Sequence, residues 1–295
     1  MARPALSATR ALDIISFLAE HPNDAFTMAQ LTRALRLNQG SAHAVLTAMT
    51  EQAFLIRHPE HRTFRLGPAL VNAGEAAALA NPIIAIARAE LQSLTDRLQL
   101  PALASMRAGS ELRVVVRVGP QVAVGPSRRV GQRYPLVPPL GAALVAWSPP
   151  EDQEEWIDSR PADLDGTALR RLLDEVRSRG YDLGAGVAAR RELGRAVKHL
   201  ANEPLDERAK ATVRASASRV PAAAPDDVAV VTAPVLNAAG CAVLECSVHG
   251  FASPPTADTL TRVTTALRDA CTVIARRVAA HGNVHIDSQR SQEVG

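Results

Sequence analysis

The segment Asn38–Ala53, NQGSAHAVLTAMTEQA, limits the folds open to this chain more than any other stretch. Ala42, Val45, Leu46 and Met49 recur at i, i+3, i+4 and i+7, so a helix places them on one face. Gly40, His43, Ala44 and Thr47 fall on the opposite side, with Ser41 at the edge. Asn38 suits the cap position, where its side-chain oxygen accepts a backbone N–H left free by the first turn. The apolar stripe must be buried against neighbours, and a free face this small and polar suits the major groove of DNA. An ordinary surface helix has the same pattern, so the flanking sequence decides between the two.

Ser7 precedes a helix in which Ala11, Ile14, Ile15 and Leu18 repeat the same spacing, and His21-Pro22-Asn23-Asp24 ends it. Thr27 and Gln30 form a capping box, each side chain satisfying a free donor at the start of a second helix. That helix turns Met28, Leu31 and Leu35 inward and connects through Arg36-Leu37 to Asn38. Two short helices joined so tightly make a helix-turn-helix. Phe54-Leu55-Ile56 and Phe64-Arg65-Leu66 then read as short strands joined by HPEHR, the hairpin of a wing. The groove-facing set is Gln39, Ser41, His43 and Thr47. The Gln39 amide can pair with an adenine edge, and His43 can contact a base or a phosphate. Arg57, Arg62 and Arg65 in the wing stand where they can meet phosphates or the minor groove. Such contacts supply affinity and salt dependence rather than sequence reading.

Beyond Gly67 the pattern changes. An alanine-rich helix over 69–80 ends at Asn81-Pro82, because the residue before proline is pushed out of the helical region. Ile84, Ala87, Leu91, Leu94 and Leu98 make the apolar seam of the next helix, read here as core. ALASM and LRVVVRV are strands joined by a turn at Ala108-Gly109-Ser110. A turn-rich loop with Arg128, Arg129 and Arg133 leads to a short apolar helix starting at Gly141. Leu169, Leu172, Leu173 and Val176 mark another helix, stopped by Gly180. VAVVTAPVL and AVLECSVHG form a hairpin around Asn237–Gly240. A last helix from Thr256 buries Leu260, Val263, Leu267, Cys271, Ile274 and Val278. Strands at both ends of this half, with helices between and after, describe an α+β unit with a largely antiparallel sheet. The long Ala- and Arg-rich segment 182–227 suggests added helix at Leu193, Val197 and Leu200, with PAAAP as a linker. The polar end, 283–295, reads as a loose tail.

The opening RALDI, the rhythm L-x-x-x-x-G-S/T-x-H-x-x-L through the capped helix, and the wing's closing R-x-F/Y-x-L-G resemble the IclR-type bacterial transcriptional regulators. The resemblance continues in YPLVPPLGAALVAW, RSRGYDL and the final hairpin and helix. It implies a winged helix-turn-helix over 1–67, a linker helix over 68–81 and a GAF-like effector-binding domain over 82–282. By the same resemblance the chain is a sequence-specific regulator whose C-terminal domain senses a small molecule, such as an organic or aromatic acid. It would act on operator DNA as a homodimer or homotetramer. The matching effector positions are Pro139, Leu140, Gly141 and Ala142 on a loop and Cys246, Ser247 and His249 on a strand. Where the family's recognition helix commonly opens with proline and a basic residue, this chain has Asn38 and Gln39. Where its loop usually carries histidine and lysine, this chain has Val137 and Ala142, which points to a more apolar effector or to none. The alternative is a DNA-binding module regulated by protein contacts, with 182–227 as docking surface.

Other chemistries find little support in the residues. A net charge of +3, nearly all arginine since Lys198 and Lys210 are the only lysines, is mildly basic. Cys241, Cys246 and Cys271 are too few for a disulfide framework and fit a reducing compartment. With no signal peptide and no apolar run approaching roughly 18 residues, the expected location is the cytoplasm. Cys241 and Cys246 are spaced to face opposite sides of a strand, and the histidines show no metal-binding spacing, so neither metal nor cofactor is expected. Ser247 and His249 share one side of a strand but have no acid partner or Gly-x-Ser-x-Gly elbow, so no catalytic residue is assigned.

Overall fold

The structure is a computed structural model that describes residues 5–120, 130–160, 164–185, 228–251 and 253–281. The chain divides into two compact units with the boundary between Ala80 and Asn81. The helix over 69–80 groups with the first unit.

The first unit runs α1 (Leu6–Glu20), β1 (Phe26–Thr27), α2 (Met28–Ala34), α3 (Gln39–Glu51), β2 (Leu55–Arg57), β3 (Thr63–Leu66) and α4 (Ala69–Ala80). Its core gathers Ile14, Phe17 and Leu18 of α1, Leu31 of α2, Val45, Leu46 and Met49 of α3, and Leu55 and Phe64 of the hairpin. Ala42 is fully buried as well, so all four residues of the α3 stripe face inward. The Thr27–Gln30 capping box forms, with Gln30 N–H donating to Thr27 Oγ1 at 3.3 Å and Thr27 N–H donating to Gln30 Oε1 at 2.8 Å. Two details differ from the sequence reading. Helix α1 begins at Leu6 with Ala5 in the cap position, so Ser7 lies inside its first turn. The hairpin gains a third strand, β1, which pairs antiparallel with β3 through Phe26↔Phe64 and Thr27↔Thr63.

The close of the wing explains its glycine. Gly67 N–H donates to Phe54 O at 2.8 Å, which brings the chain back against the end of α3. A Cβ on Gly67 would lie 2.2 Å from the carbonyl oxygen of Ala53, and backbone leaves it nowhere to move. After this contact α4 leaves the core, and none of its residues is buried.

The second unit is a six-stranded sheet, antiparallel at every pairing, in the order β6-β5-β4-β9-β8-β7. Its strands are β4 (Ala102–Ala108), β5 (Glu111–Val118), β6 (Arg133–Pro135), β7 (Asp182–Ala185), β8 (Val228–Leu236) and β9 (Ala242–His249). Among the described residues the helices are α5 (Pro82–Leu98), α6 (Ala142–Val145), α7 (Pro150–Asp158), α8 (Gly166–Arg179) and α9 (Ala257–Ala280). Helices α5 and α9 cover one face. Ile83, Ala87, Leu91 and Leu94 meet Leu267 and Ile274 of α9 and Val116, Val231, Leu244 and Val248 of the sheet. The α5 seam is thus core, with Ile83 rather than Ile84 fully buried at its start. A second cluster, built on Leu144, Trp156, Ile157, Leu169 and Leu173, joins α6, α7 and α8 to Leu112 of β5. Trp156 Nε1–H donates to Leu140 O at 2.9 Å, and Arg107 of β4 pairs with Asp152 of α7 at 2.9 Å, tying this layer to the sheet.

Strands β6 and β7 and helix α7 extend the sequence reading. Arg133, expected in a loop, belongs to β6 and lies 3.6 Å from Glu111. Arg128, Arg129, Leu193, Val197, Leu200, the PAAAP stretch and the tail from 283 lie outside the described residues. Among the described residues, no single helix is long and apolar enough to cross a membrane.

Candidate functional site

Burying one face of α3 fixes what its other face offers. Asn38 caps the helix, its Oδ1 accepting from Gly40 N–H at 3.0 Å. Helices α1 and α2 back the inner stripe, and Gln39, His43, Ala44 and Thr47 are exposed on the outside. Gly40 is not sterically required, since a Cβ there would meet only Asn38 Oδ1 at 3.6 Å. Ser41 differs from the rest of the expected set. It is half-buried, and its hydroxyl accepts a hydrogen bond from Nη1 of Arg10 on α1. Sequence reasoning missed Arg10, because the contact spans 31 residues and has no local signal.

The wing arginines are exposed but do not form one patch. Ile56 pairs with Arg65 and Arg57 with Phe64 across the hairpin, and cross-strand partners share a face. Arg65 therefore lies on the solvent side, while Arg57 lies on the side of Phe64, its guanidinium carbon 5.9 Å from that ring's centre. Arg62 sits in the turn in a left-handed conformation, φ 51°, and its N–H donates to His58 O at 3.0 Å. The three cations can thus meet phosphates from more than one side of the hairpin.

In the second unit, the sheet face opposite α5 and α9 carries a buried polar stripe. Glu245, Ser247 and His249 alternate along β9, Ser105 of β4 lies opposite Glu245, and Thr232 of β8 lies opposite Ser247. All five are buried. The hydroxyls of Thr232 and Ser247 share a hydrogen bond of 2.8 Å. Ser105, Thr232 and Glu245 escaped the sequence reading because each stands singly in a run of apolar strand residues. Cys246 corrects the expected set. The two-residue period of the strand turns it to the other face, where it packs with Cys271 in the helix-covered core. The hydrogen bond with Cys271, with burial behind it, holds the Cys246 thiol well above its ordinary range, so it stays protonated there.

The loop side reaches the same strands. Pro139 follows a cis Pro138–Pro139 bond, Leu140 gives its carbonyl to Trp156, and Ala142 is buried at the start of α6. Helix α6 lies against β8 and β9, which carry Thr232, Ser247 and His249. Gly141 takes φ 83°, and a Cβ there would come within 2.2 Å of Leu136 Cδ1. Helix α6 has only four residues, all buried, so it sums too few aligned peptide dipoles to act as an anion site by itself.

Residues 7–59 match the family model of the IclR helix-turn-helix domain. Over that stretch the first unit is similar to an IclR helix-turn-helix. Solved structures extend the likeness over both units. The IclR transcriptional regulator of Alicyclobacillus acidocaldarius superposes with a TM-score of 0.68 at 20% identity, covering 93% of this chain and 99% of that one. The Thermotoga maritima IclR gives 0.62 at 15% identity over 93% and 99%. An IclR homologue from Microbacterium hydrocarbonoxydans, solved with 4-hydroxybenzoate, gives 0.60 at 18% over 92% and 99%. No curated protein matches the chain in sequence. The fold is therefore that of IclR regulators: an N-terminal helix-turn-helix followed by a C-terminal unit of helices on an antiparallel sheet.

The Thr232–Ser247 pair makes a direct prediction. Ser247→Ala leaves a buried hydroxyl without its partner and costs about 1–3 kcal/mol of stability. Adding Thr232→Val removes the orphaned group, so the double variant loses less than the two single losses added together. Chemical denaturation of the three variants reads this coupling directly, and strict additivity would contradict the hydrogen bond.

Proposed function

We propose that this IclR-type protein is a transcriptional regulator that reads operator DNA through α3 and its wing and responds to a small organic molecule held at the polar stripe of the second unit. The observation that carries the DNA half is the two-sidedness of α3: four buried apolar residues inside, and exposed Gln39, His43 and Thr47 outside. Gln39 and His43 are the base readers, and Arg57, Arg62 and Arg65 neutralise phosphates. One recognition helix covers a half-site only, so the working unit is a homodimer or homotetramer that presents at least two heads.

The sensing half draws its support from Ser105, Thr232, Ser247 and His249, which line one sheet face beside the loop Pro139–Ala142. Hydroxyl and imidazole groups on an otherwise apolar face suit a small molecule with hydroxyl or carboxyl groups on an apolar body. The relative solved with 4-hydroxybenzoate has the same fold and makes aromatic acids the first class to test. A ligand preferring one arrangement of the sensing units would change the presentation of the heads by population shift.

Two measurements test this reading. Gln39→Ala and His43→Ala should weaken binding to a duplex selected by the protein about tenfold more than binding to a random duplex, since each good base contact discriminates by about 1–3 kcal/mol. Equal losses on both duplexes would remove the base-reading role. In a thermal-shift series, 4-hydroxybenzoate or a related aromatic acid at a hundred times its Kd should stabilise the protein by about 2.7 kcal/mol. A flat series would count against the aromatic-acid class.

A further inference from the structure

The recognition helix carries no cation of its own. Between Gln39 and Glu51 there is neither lysine nor arginine, and Glu51 is its one charged residue. Yet a guanidinium stands at its first turn. Arg10 reaches from α1 and donates from Nη1 to Ser41 Oγ. Helices α1 and α3 pack through a shared core that includes Ile14, Leu18, Val45 and Leu46, so the two elements carrying this contact are held in register.

The partner that holds Arg10 is neutral. Among the described residues Arg10 forms no ion pair, and Asp13, three positions along the same helix, makes none with it. A guanidinium has five N–H donors in a fixed fork, and Ser41 occupies a single donor nitrogen. The remaining donors keep both their charge and their hydrogen-bonding capacity. They stand at the first turn of α3, the helix whose exposed Gln39 and His43 face DNA in the reading above.

We infer that Arg10 is a phosphate-binding residue of the DNA interface, oriented by Ser41 and supplying from α1 the positive charge that α3 lacks. Ser41 is then a positioning residue rather than a base reader, which revises its place in the groove-facing set. The inference rests on the DNA-binding reading and adds a contact to it. A phosphate contact strengthens binding to every sequence alike and contributes to counterion release, so it has its own signature in salt.

The test is duplex binding by the full chain, followed by fluorescence anisotropy between about 50 and 200 mM salt on a selected and a random 30-base-pair duplex. Arg10→Ala should weaken binding to both duplexes by a similar factor and make the slope of log K against log salt shallower by about 0.9 for each head bound to the duplex. Arg10→Lys should restore the slope, because the charge returns. Arg10→Gln keeps a donor for Ser41 without the charge, and its slope should match that of Arg10→Ala, which separates lost charge from lost packing. Thermal melting of each variant checks the fold, and if Arg10→Ala does not fold, Arg10→Gln decides. A wild-type slope in the folded charge-free variants would overturn the inference. Failure of the wild-type chain to bind either duplex would overturn the DNA-binding reading beneath it.

Discussion

The first unit depends on the burial of Ala42, Val45, Leu46 and Met49 on one side of a single helix. Each buried aliphatic side chain of this size contributes roughly 1.5–3 kcal/mol, the alanine less, and rotating α3 would expose them all. The helix therefore has one orientation, and the identity of its outer residues becomes a matter of function. Asn38 at one end and the Gly67–Ala53 approach at the other confine its position along the axis. The resulting outer surface is small and nearly uncharged, so charge must come from elsewhere. In the proposed reading the wing provides it through Arg57, Arg62 and Arg65, and α1 provides it through Arg10.

The second unit solves a different problem with the same economy of means. A sheet covered on one face by α5 and α9 and packed on the other by α6–α8 would ordinarily be apolar throughout. Here Ser105, Thr232, Glu245, Ser247 and His249 interrupt it on one face only. Buried polar groups are costly unless they find partners, and the 2.8 Å hydrogen bond between Thr232 and Ser247 shows one such pairing. In the proposed function this stripe is the lining of the effector site. Cys246, one residue from Ser247, illustrates how sharply the sheet separates the two environments. Its thiol belongs to the apolar packing with Cys271, not to the stripe.

Most of the first unit was legible in the sequence because its signals are local. The spacing in α3, the Thr27–Gln30 box and the HPEHR turn each use residues within a few positions of one another. The helix α5, the strands β4, β5, β8 and β9, and the helices α8 and α9 were legible for the same reason. Strand β1 has two residues, too few for any period to register. Strand β6 ends in a proline inside a turn-rich stretch, and α7 turns only Trp156 and Ile157 inward, so neither left a recognisable stripe. The site was less legible than the fold. Which residues share the polar face depends on strand order and register, and the Arg10–Ser41 contact depends on how α1 crosses α3. Both are long-range facts.

In the proposed function the outer face of α3 reads DNA sequence. The direct measurement is selection by the full-length protein from a pool of random duplexes, with sequencing of the bound fraction. The expected result is enrichment of a two-fold symmetric motif whose half-sites lie about one helical turn, or a whole number of turns, apart. Retention that follows salt alone, with no sequence enriched above the input pool, would contradict it.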